Sequence, residues 1–393
     1  MRAILLIIDG FGVGALPDAE RYGDAGANTA RHICQTIPRD KWPCLQRLGL
    51  GNCTNILGYL LSGCKPAKTP LASYGVMREM SPGKDTTTGH WELAGITLRQ
   101  PFHTFDPHYP SFPDALVQNF EKQTGYKMLG NKGDSGTRII EDLGKDHMDG
   151  AGIIVYTSSD SVLQIAAHEA IVPVKDLYHI CEIARKLCDP FNVGRVIARP
   201  FKGSPGNFIR TGSRKDFSMV PTERTILDHL RKAGIQTIGI GKIGDIFSER
   251  GISTSYHDTG NDACIARTIS CLKEKGMPDQ FLFVNLVDTD MLYGHRRDIQ
   301  GYHDAVQKID DALDELIHCL SDENLLIITS DHGCDPGFKG TDHTREYVPL
   351  LVIHRSKPVQ NLGIRDSFCD VAQSLSSFFG VESWVRGTSF LLK

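Results

Sequence analysis

Short, almost uninterrupted apolar runs recur along the chain, and each of them ends abruptly in polar residues. The clearest examples are residues 3–8 (AILLII), 237–240 (TIGI), 281–287 (FLFVNLV) and 325–329 (LLIIT). Runs of this kind, rich in β-branched residues and without polar alternation, are typical of strands buried on both faces of a parallel sheet. We therefore predict an α/β fold in which a mostly parallel sheet is flanked by helices.

Helical periodicity follows and separates these runs. From Tyr302 to Leu320, apolar residues recur every three or four positions. This stretch lies between the last two of the apolar runs, so the three together predict a strand–helix–strand unit. Residues 221–234 (PTERTILDHLRKAG) predict another helix, with Pro221 near its start and Gly234 just past its end.

One further apolar run, residues 346–353 (EYVPLLVI), predicts another strand. Pro349 lies within this run, and proline cannot donate a hydrogen bond to a neighbouring strand. We therefore expect this strand at an edge of the sheet or at an irregular position.

The middle of the chain has a different character, because it is richer in prolines, aromatic residues and irregular polar stretches. It nevertheless contains two strand-like runs and one helical stretch, at residues 151–159, 194–201 and 175–188. We predict that residues 102–218 form a smaller α/β cap domain. It is inserted into a discontinuous core domain of residues 1–101 and 219–393.

Composition and charge narrow the class of protein. The 393 residues are 40% hydrophobic and 23% charged, with a net charge of −4, so nothing favours binding to nucleic acid or to an acidic membrane surface. No run approaches the ~18 apolar residues of a membrane span. Residues 3–8 are also shorter than the apolar core of a signal peptide. We expect a cytoplasmic protein without nucleic-acid or membrane partners, while the oligomeric state stays open.

The eleven cysteines are odd in number, scattered, and never spaced as C-x-x-C. This distribution favours reduced thiols that act as small core residues. It gives no support to a zinc site built from cysteines.

Acidic and imidazole side chains follow or flank the predicted strands. They are Asp9, Asp290, His295, Asp331, His332 and His343. Each alone could be a turn or surface residue, but parallel strands bring their carboxyl ends to one edge of a sheet. Oxygen and nitrogen ligands without thiolate suit Mn²⁺, Zn²⁺ or iron. Six ligands suit two ions, which at ~3.5–4 Å separation can stabilise the attacking and leaving oxygens of a phosphoryl displacement.

A site of this kind also needs a nucleophile, and residues 84–92 (KDTTTGHWE) offer three hydroxyls. Three carboxylates against the four charges of two divalent ions leave the centre cationic, which suits a phosphate monoester. A threonine hydroxyl needs a base or a metal to react. Alternatively, the threonines could cap a helix that begins near His90. The sequence pattern alone is compatible with both interpretations, a nucleophile and a helix cap, and it does not show which of Thr86, Thr87 and Thr88 would react.

Four motifs in order resemble the phosphopentomutase family of the alkaline phosphatase superfamily: KDTTTGHWE, DTDMLYGHRRD, SDHGCDP and GTDHTREYVPLL. The resemblance covers essentially the whole chain. It implies an alkaline-phosphatase-like core and an interconversion of α-D-ribose 1-phosphate and D-ribose 5-phosphate, and of the 2-deoxyribose pair. It also implies a phosphothreonine enzyme, a sugar bisphosphate intermediate, and a sugar bisphosphate that primes the enzyme.

The resemblance assigns roles to individual residues. The first threonine of the family motif carries the phosphoryl group, which corresponds to Thr86. The resemblance implies two Mn²⁺ ions, with Co²⁺ or other divalent ions as alternatives. Their ligands are Asp9, Asp331, His332 and the Thr86 oxygen for one ion, and Asp290, His295 and His343 for the other. Gly10 follows Asp9 where many relatives have serine.

Substrate contacts are expected mainly from the cap. Arg195 and Arg210 have guanidinium groups that suit phosphate oxygens. Asp160 suits sugar hydroxyls and Lys242 suits phosphate charge, although any of these could be an ordinary solvated residue. The expected partners are small pentose phosphates. The alternatives are a metal-dependent phosphatase or phosphodiesterase, a phosphoglycerate mutase of the same superfamily, and a non-enzymatic metal-binding or scaffold protein.

Overall fold

The structure, a computed structural model, describes residues 1–37, 42–158, 160–382 and 386–391. The chain forms two compact units. The core unit consists of residues 1–100 and 221–393, and the inserted unit of residues 101–220. That the insertion acts as a cap domain with boundaries at 102 and 218 stays a prediction.

The strands form two sheets, one in each unit. In chain order they are β1 (Arg2–Ile8), β2 (Ser73–Met77), β3 (Met128–Gly133), β4 (Ile153–Thr157), β5 (Val162–His168), β6 (Arg195–Lys202), β7 (Ile209–Arg210), β8 (Lys215–Ser218), β9 (Gln236–Ile240), β10 (Thr254–Tyr256), β11 (Gln280–Leu286), β12 (Asn324–Thr329), β13 (Val348–Ile353) and β14 (Asn361–Arg365).

Helices connect most of these strands. In chain order they are α1 (Thr29–Thr36), α2 (Pro43–Leu48), α3 (Leu50–Ile56), α4 (Thr86–Leu93), α5 (Asp114–Thr124), α6 (Gly136–Met148), α7 (Val174–Cys188), α8 (Ile226–Lys232), α9 (Ile243–Ile246), α10 (Asn261–Lys273), α11 (Ile299–His318) and α12 (Cys369–Phe379). No helix in the described part of the chain combines the length and the apolar composition needed to cross a membrane.

The core sheet has eight strands in the order β10-β9-β11-β1-β12-β13-β2-β14. Neighbours are parallel except at β13, which is antiparallel to both β12 and β2. The four apolar runs of the sequence are β1, β9, β11 and β12, and they lie side by side. The predicted α/β class, with a mostly parallel sheet flanked by helices, is therefore confirmed.

Burial on both faces explains why these strands are so apolar. Ile4, Leu6 and Ile8 of β1 pack in one cluster with residues of α10 and α11, while Leu5 and Ile7, on the opposite face of the strand, are also buried. Full burial of one such side chain contributes about 1.5–3 kcal/mol relative to exposure. The central strands are thus fixed by packing from both sides.

The inserted unit has its own six-stranded sheet, in the order β3-β4-β5-β6-β7 with β8 paired to β6. Residues of α5 and α7 pack in one apolar cluster with Leu163 and Val196, and residues of α6 pack in another with Ile154 and Phe201. The strand-like runs and the helical stretch predicted in this region are β4, β6 and α7. The unit therefore has a core of its own.

The start of one predicted helix is wrong, and so is the edge alternative for the strand that contains Pro349. Helix α8 begins at Ile226 and not near Pro221, because the Thr225 N–H donates to Asp228 Oδ2 (2.8 Å) and this contact fixes the helix start. Strand β13 is not an edge strand, since it lies between β12 and β2. Pro349 pairs with Val76 of β2 on one side, whereas on the other side pairing with β12 involves only Leu351 and the residues after it, so Pro349 has no partner in β12.

The cysteines behave as small core residues. All eleven are free thiols, and all except Cys319 are buried. Burial raises the pKa of several of them, for example that of Cys53 to about 12, so these thiols stay protonated at neutral pH.

A buried carboxylate joins two helices near the edge of the core. Helix α2 has no capping side chain of its own, because Trp42 precedes it. Instead Asp310 of α11, which is 1% exposed, accepts hydrogen bonds from the N–H groups of Cys44 (3.0 Å) and Leu45 (2.6 Å). It satisfies two of the four unpaired donors at the start of α2.

Replacement of this carboxylate tests the contact. We expect Asp310→Ala to lower the free energy of unfolding by about 2 kcal/mol, because two buried N–H groups lose their acceptors. The neighbouring exposed Asp311 provides the control, and Asp311→Ala should change it by less than about 0.5 kcal/mol. Urea denaturation of both variants measures the difference, and equal stabilities would contradict the capping role.

Candidate metal centre

The parallel strands bring two of the predicted acids to the same edge of the sheet. Asp9 follows β1 and Asp331 follows the adjacent β12, and both carboxylates are fully buried. His332 Nε2 lies 3.4 Å from Asp9 Oδ1 and 3.1 Å from Asp331 Oδ2. One ligand atom from each of these three residues lies within 4.8 Å of the others, as a bound cation requires.

A second group of side chains is built around Asp290. Strand β11 ends in a π-helical turn, Thr289–Gly294, in which the His295 N–H donates to the Asp290 carbonyl (3.2 Å). This turn brings His295 Nε2 to 3.3 Å from Asp290 Oδ2. His343 Nε2 lies 3.5 Å from Asp290 Oδ1.

The reversed direction of β13 accounts for the position of His343. Because β13 is antiparallel to β12, the residues before β13 lie at the same edge as the residues after β12. Thr344 and Gly333 exchange backbone hydrogen bonds there (2.7 and 3.1 Å). The ring centroids of His332 and His343 are 4.2 Å apart. The two groups are therefore continuous, and all six predicted ligands come together.

Three carboxylate oxygens in this centre are buried without a hydrogen-bond donor: Asp9 Oδ1, Asp290 Oδ1 and Asp331 Oδ2. A buried acceptor without a partner costs free energy, and an ionised one costs more. Each of these atoms instead lies beside an imidazole Nε2. Oxygen and nitrogen donors in this arrangement fit divalent cations.

Positive charge keeps two of these acids ionised. Burial, with the charges of Asp331 and Asp290, raises the pKa of Asp9 to about 6. Burial acts in the same direction on Asp331, but His332 and His90 outweigh it and hold the pKa of that carboxyl well below its usual range. The two imidazoles beside Asp290 likewise lower its pKa. The centre therefore favours positive charge between its acids.

Neighbouring groups orient the ligands. His295 Nδ1 lies 2.7 Å from the Thr341 carbonyl, which leaves its Nε2 directed at Asp290. Asn285 donates to Asp9 Oδ2 (2.8 Å). These contacts fix the ring and carboxylate directions before any ion binds.

Glycines occur where the backbone passes close to the acids. Gly10 has φ +75°, and a Cβ there would lie 2.9 Å from Cys334 Cβ. Its N–H donates to Asp331 Oδ1 (3.2 Å). Gly89 of α4 approaches Asp331 so closely that a Cβ would lie 2.1 Å from its carbonyl oxygen. Glycine at residue 10, where serine was expected, thus has a steric reason.

The structure separates the two roles that the sequence suggested for the three threonines, helix capping and a place beside the metal centre. Helix α4 begins at Thr86 and not near His90, because Asp85 caps it by accepting a hydrogen bond from the Thr88 N–H (3.1 Å). The Thr88 hydroxyl also donates to Asp85. Thr86 Oγ1 lies 3.2 Å from His332 Nε2. The capping role therefore belongs to Asp85, and Thr86 is the threonine at the centre.

Two residues of the centre were missed by the sequence analysis. His90 is buried, and its Nδ1 lies 2.8 Å from the Thr86 carbonyl and 3.1 Å from Asp331 Oδ2. Its spacing from Thr86, one helical turn, is the signal that could have found it. Cys334 offers a ligand atom close to Asp290 and His295. Its place two residues after His332 is the corresponding signal.

The four predicted substrate contacts are divided between the units. In the inserted unit, Arg195 forms ion pairs with Asp160 (3.4 Å) and Asp216 (3.5 Å). Arg210 lies at the end of β7, exposed, without an ion-pair partner in the described residues. Lys242 belongs to the core unit, directly before α9.

Two further arginines of the inserted unit were not predicted. Arg199 donates to Gln164 Oε1 (3.1 Å), and burial together with the charge of Arg214 lowers its pKa to about 10. Arg214 forms a two-point contact with Asp216 (2.7 Å each). Their positions in the sequence gave no signal that the charge of one acts on the other.

Comparison with known proteins identifies the family. Residues 1–383 match the family model of the metalloenzyme superfamily. Phosphopentomutase of Caldanaerobacter subterraneus subsp. tengcongensis is 49% identical, over 99% of this chain and 97% of that protein. The phosphopentomutases of Acetivibrio thermocellus and Thermotoga maritima are 48% and 47% identical, each over 99% of this chain and 98% of theirs. The chain therefore belongs to the phosphopentomutase family of the metalloenzyme superfamily.

Proposed function

We propose that this protein interconverts α-D-ribose 1-phosphate and D-ribose 5-phosphate, and the corresponding 2-deoxyribose phosphates. The reaction proceeds through phospho-Thr86 and a sugar bisphosphate, with two divalent ions bound at the centre. Membership of the phosphopentomutase family supports the overall reaction. The geometry around Thr86 supports the choice of nucleophile.

The observation that carries this proposal is the 3.2 Å distance from Thr86 Oγ1 to His332 Nε2. His332 belongs to both groups of acids, so the hydroxyl lies beside the whole centre. Thr86 is also the first residue of α4, where free N–H groups and the helix dipole favour a phosphate. The Thr88 hydroxyl is engaged by Asp85. Thr86 therefore has the favoured position of the three.

We assign the ligands in two sets. Asp9, Asp331, His332 and the Thr86 oxygen hold one ion, and Asp290, His295 and His343 hold the other. The ions are Mn²⁺, or Co²⁺ or another divalent cation with the same ligand preferences. When bound, such ions neutralise charge on the transferring phosphoryl group. The three buried carboxylate oxygens without a donor support this assignment.

The chain's own groups account for the transfer. The resting enzyme carries the phosphoryl group on Thr86 Oγ1. A free hydroxyl of a pentose monophosphate attacks phosphorus, the new oxygen–phosphorus bond forms, and the Oγ1–phosphorus bond breaks. Thr86 regains the proton that the sugar hydroxyl loses. Thr86 Oγ1 then attacks the other phosphate of the bisphosphate. The Oγ1–phosphorus bond forms, the bond between phosphorus and the sugar oxygen breaks, and that oxygen takes the proton that Thr86 loses. This step restores phospho-Thr86 and releases the isomer.

The remainder of the substrate needs its own contacts. We assign the distal phosphate to Arg195 and Arg210, sugar hydroxyls to Asp160, and further phosphate charge to Lys242. The exposed guanidinium of Arg210, without an acid beside it among the described residues, supports its part in this assignment. An unpaired guanidinium can bind phosphate in a two-point contact.

One assay separates this reaction from its alternatives. Purified protein is incubated with ribose 1-phosphate and Mn²⁺, with and without glucose 1,6-bisphosphate as the primer. We expect ribose 5-phosphate, formed faster with the primer. Release of inorganic phosphate would instead identify a phosphatase. Turnover restricted to 2- and 3-phosphoglycerate would identify a phosphoglycerate mutase. Absence of all turnover would favour a non-enzymatic protein.

The nucleophile is tested by substitution. We expect Thr86→Ala to lower kcat by about 10⁴-fold or more, because no other group replaces the covalent intermediate. Thr87→Ala, one residue along the same helix, should stay within about tenfold of the wild type. Mass spectrometry of the primed wild-type protein should place the phosphate on Thr86. A phosphate on Thr87 or Thr88 would overturn the assignment.

Metal binding is tested by calorimetry on protein first treated with a chelator. We expect two Mn²⁺ ions to bind per chain and to restore the activity that chelation removes. Asp290→Ala should lose one of the two ions, because Asp290 is the only carboxylate in its set. Asp288→Ala is the matched control, since Asp288 accepts a hydrogen bond from the Asn261 N–H (2.8 Å) and is not among the assigned ligands. Two ions retained by Asp290→Ala would contradict the ligand sets.

The distal phosphate contact is tested by Arg210→Ala. We expect KM for ribose 1-phosphate to rise about tenfold or more, because a charge-assisted contact to phosphate contributes ~1.5–3 kcal/mol. Arg138→Ala removes another exposed arginine of the same unit, paired weakly with Asp142 (3.9 Å), and should leave KM unchanged. An unchanged KM in Arg210→Ala would remove Arg210 from the substrate contacts.

A further inference from the structure

Two charged side chains of opposite sign bind the same short segment of the core unit, residues 79–83 (EMSPG), which we call the 79–83 segment. This segment lies between β2 and α4, directly before Lys84, Asp85 and Thr86. Arg345 binds its carbonyl groups, and Glu92 binds its amide groups. Neither of these residues has a role in the reaction described above.

Arg345 is almost fully buried, with 3% of its side chain exposed. Its guanidinium donates to three carbonyl oxygens of the segment, those of Glu79 (2.9 Å), Ser81 (2.8 Å) and Gly83 (2.7 Å). It also contacts the carboxylates of Glu79 (2.7 Å) and Asp18 (3.1 Å). Its Nε also donates to Asp18 Oδ1 (3.3 Å), so all three guanidinium nitrogens form contacts, in a planar arrangement that a lysine ammonium cannot reproduce.

Glu92 binds the segment from the other side. It lies on α4, the helix that begins with Thr86, and it is fully buried. Its carboxylate accepts hydrogen bonds from the N–H groups of Met80 (2.9 Å) and Ser81 (2.6 Å). Charged partners make such hydrogen bonds stronger than neutral ones. The carbonyls and amides of one segment are therefore both held by buried charge.

These contacts join the nucleophile to a loop that carries a proposed metal ligand. Arg345 lies two residues after His343, and its backbone N–H donates to Asp24 Oδ2 (2.9 Å). Lys84 Nζ lies 3.1 Å from Asp24 and 3.1 Å from Asp342. The chain before Thr86 and the chain around His343 are thus connected through Arg345 and through Lys84.

We propose that Arg345 and Glu92 are positioning residues, which hold the 79–83 segment so that the Thr86 hydroxyl meets the phosphoryl group in line. The inference rests on the proposed function, in which Thr86 is the nucleophile. Neither residue touches the reacting atoms. Their effect is on geometry, and a displacement of about 1 Å in a reacting group can cost roughly 10²-fold in rate.

A purely structural role predicts something different. A buried ion pair also affects stability, and loss of one partner leaves the other charge buried. A structural role alone would lower the melting temperature and leave the folded enzyme's kcat unchanged. A positioning role lowers kcat in the folded enzyme and leaves substrate affinity and metal binding intact.

The test uses the full-length, Mn²⁺-loaded protein. We expect Arg345→Lys, which keeps the charge but not the fork, to lower kcat about 100-fold, with KM for ribose 1-phosphate within about threefold of the wild type. Two Mn²⁺ ions should still bind. The rate at which glucose 1,6-bisphosphate phosphorylates Thr86, followed by mass spectrometry, should fall by the same factor as kcat.

Arg355→Lys is the matched control. Arg355 also donates to two backbone carbonyls, those of Leu320 (3.0 Å) and Ile317 (2.9 Å), but at the far end of α11. Its substitution should leave kcat unchanged. Glu92→Gln is the second variant, and it covers the case in which Arg345→Lys does not fold. The substitution weakens the hydrogen bonds that the Glu92 carboxylate accepts from the N–H groups of Met80 and Ser81. It should therefore lower kcat by the same factor as Arg345→Lys.

Each remaining outcome decides the question. An unchanged kcat in the folded variants overturns the proposal, and so does a loss of kcat that is accompanied by a loss of Mn²⁺, because Arg345 would then act through His343. Thr86→Ala is assayed in parallel. Turnover retained by Thr86→Ala refutes the proposed function itself. An inactive Thr86→Ala together with a normal Arg345→Lys refutes only the positioning role.

Discussion

The main constraint on the structure is the mutual repulsion of three buried carboxylates, which other groups must offset. These carboxylates are Asp9, Asp290 and Asp331, and they follow neighbouring strands. Two like charges 4 Å apart repel by about 4 kcal/mol at an effective dielectric constant of ~20. Burial adds a cost for each charge, which the raised pKa of Asp9 reflects. Such a group of acids is stable only beside compensating positive charge. The imidazoles supply part of it, and divalent cations are suited to supply the rest.

The arrangement of the sheet explains how these acids come together. Parallel neighbours β11, β1 and β12 all end at one edge, so the segments that follow these strands, with Asp290, Asp9 and Asp331, arrive at the same place. The antiparallel β13 adds His343 from the opposite chain direction. Close approach then requires glycine at Gly89, where a Cβ would lie 2.1 Å from the Asp331 carbonyl oxygen. The centre is thus a consequence of topology more than of any single motif.

The apolar runs of the sequence were sufficient to predict the central strands, because strands buried on both faces have almost no polar positions. The same pattern placed Asp9 and Asp331 at strand ends. It could not show that Asp85 caps α4, since an acid three residues before a backbone donor is common in loops as well. The start of α8 was wrong for a related reason: Pro221 is compatible with a helix start, but the Thr225–Asp228 contact decides it.

Contacts between residues that are distant in sequence could not be predicted from apolar runs or local patterns. Nothing in the order of residues shows that Arg345 reaches the carbonyls of the 79–83 segment, or that the charge of Arg214 lowers the pKa of Arg199 in the inserted unit. Such contacts arise from the packing of whole elements. The resemblance to a family implied the division of the six candidate ligands into two sets and the choice of Thr86, which stay proposals, and the structure gives the distances between these groups.

The π-helical turn at Thr289–Gly294 has a consequence for how this region can vary. It brings Asp290 and His295 to one side because its hydrogen bond spans five residues. Loss of one residue would return the turn to ordinary helical spacing and rotate one of the two side chains by roughly 100°. The number of residues between Asp290 and His295 therefore cannot change, and insertions or deletions belong elsewhere along the chain. Among these residues Gly294 is also restricted in type, because a Cβ there would lie 2.6 Å from Cys334 Sγ.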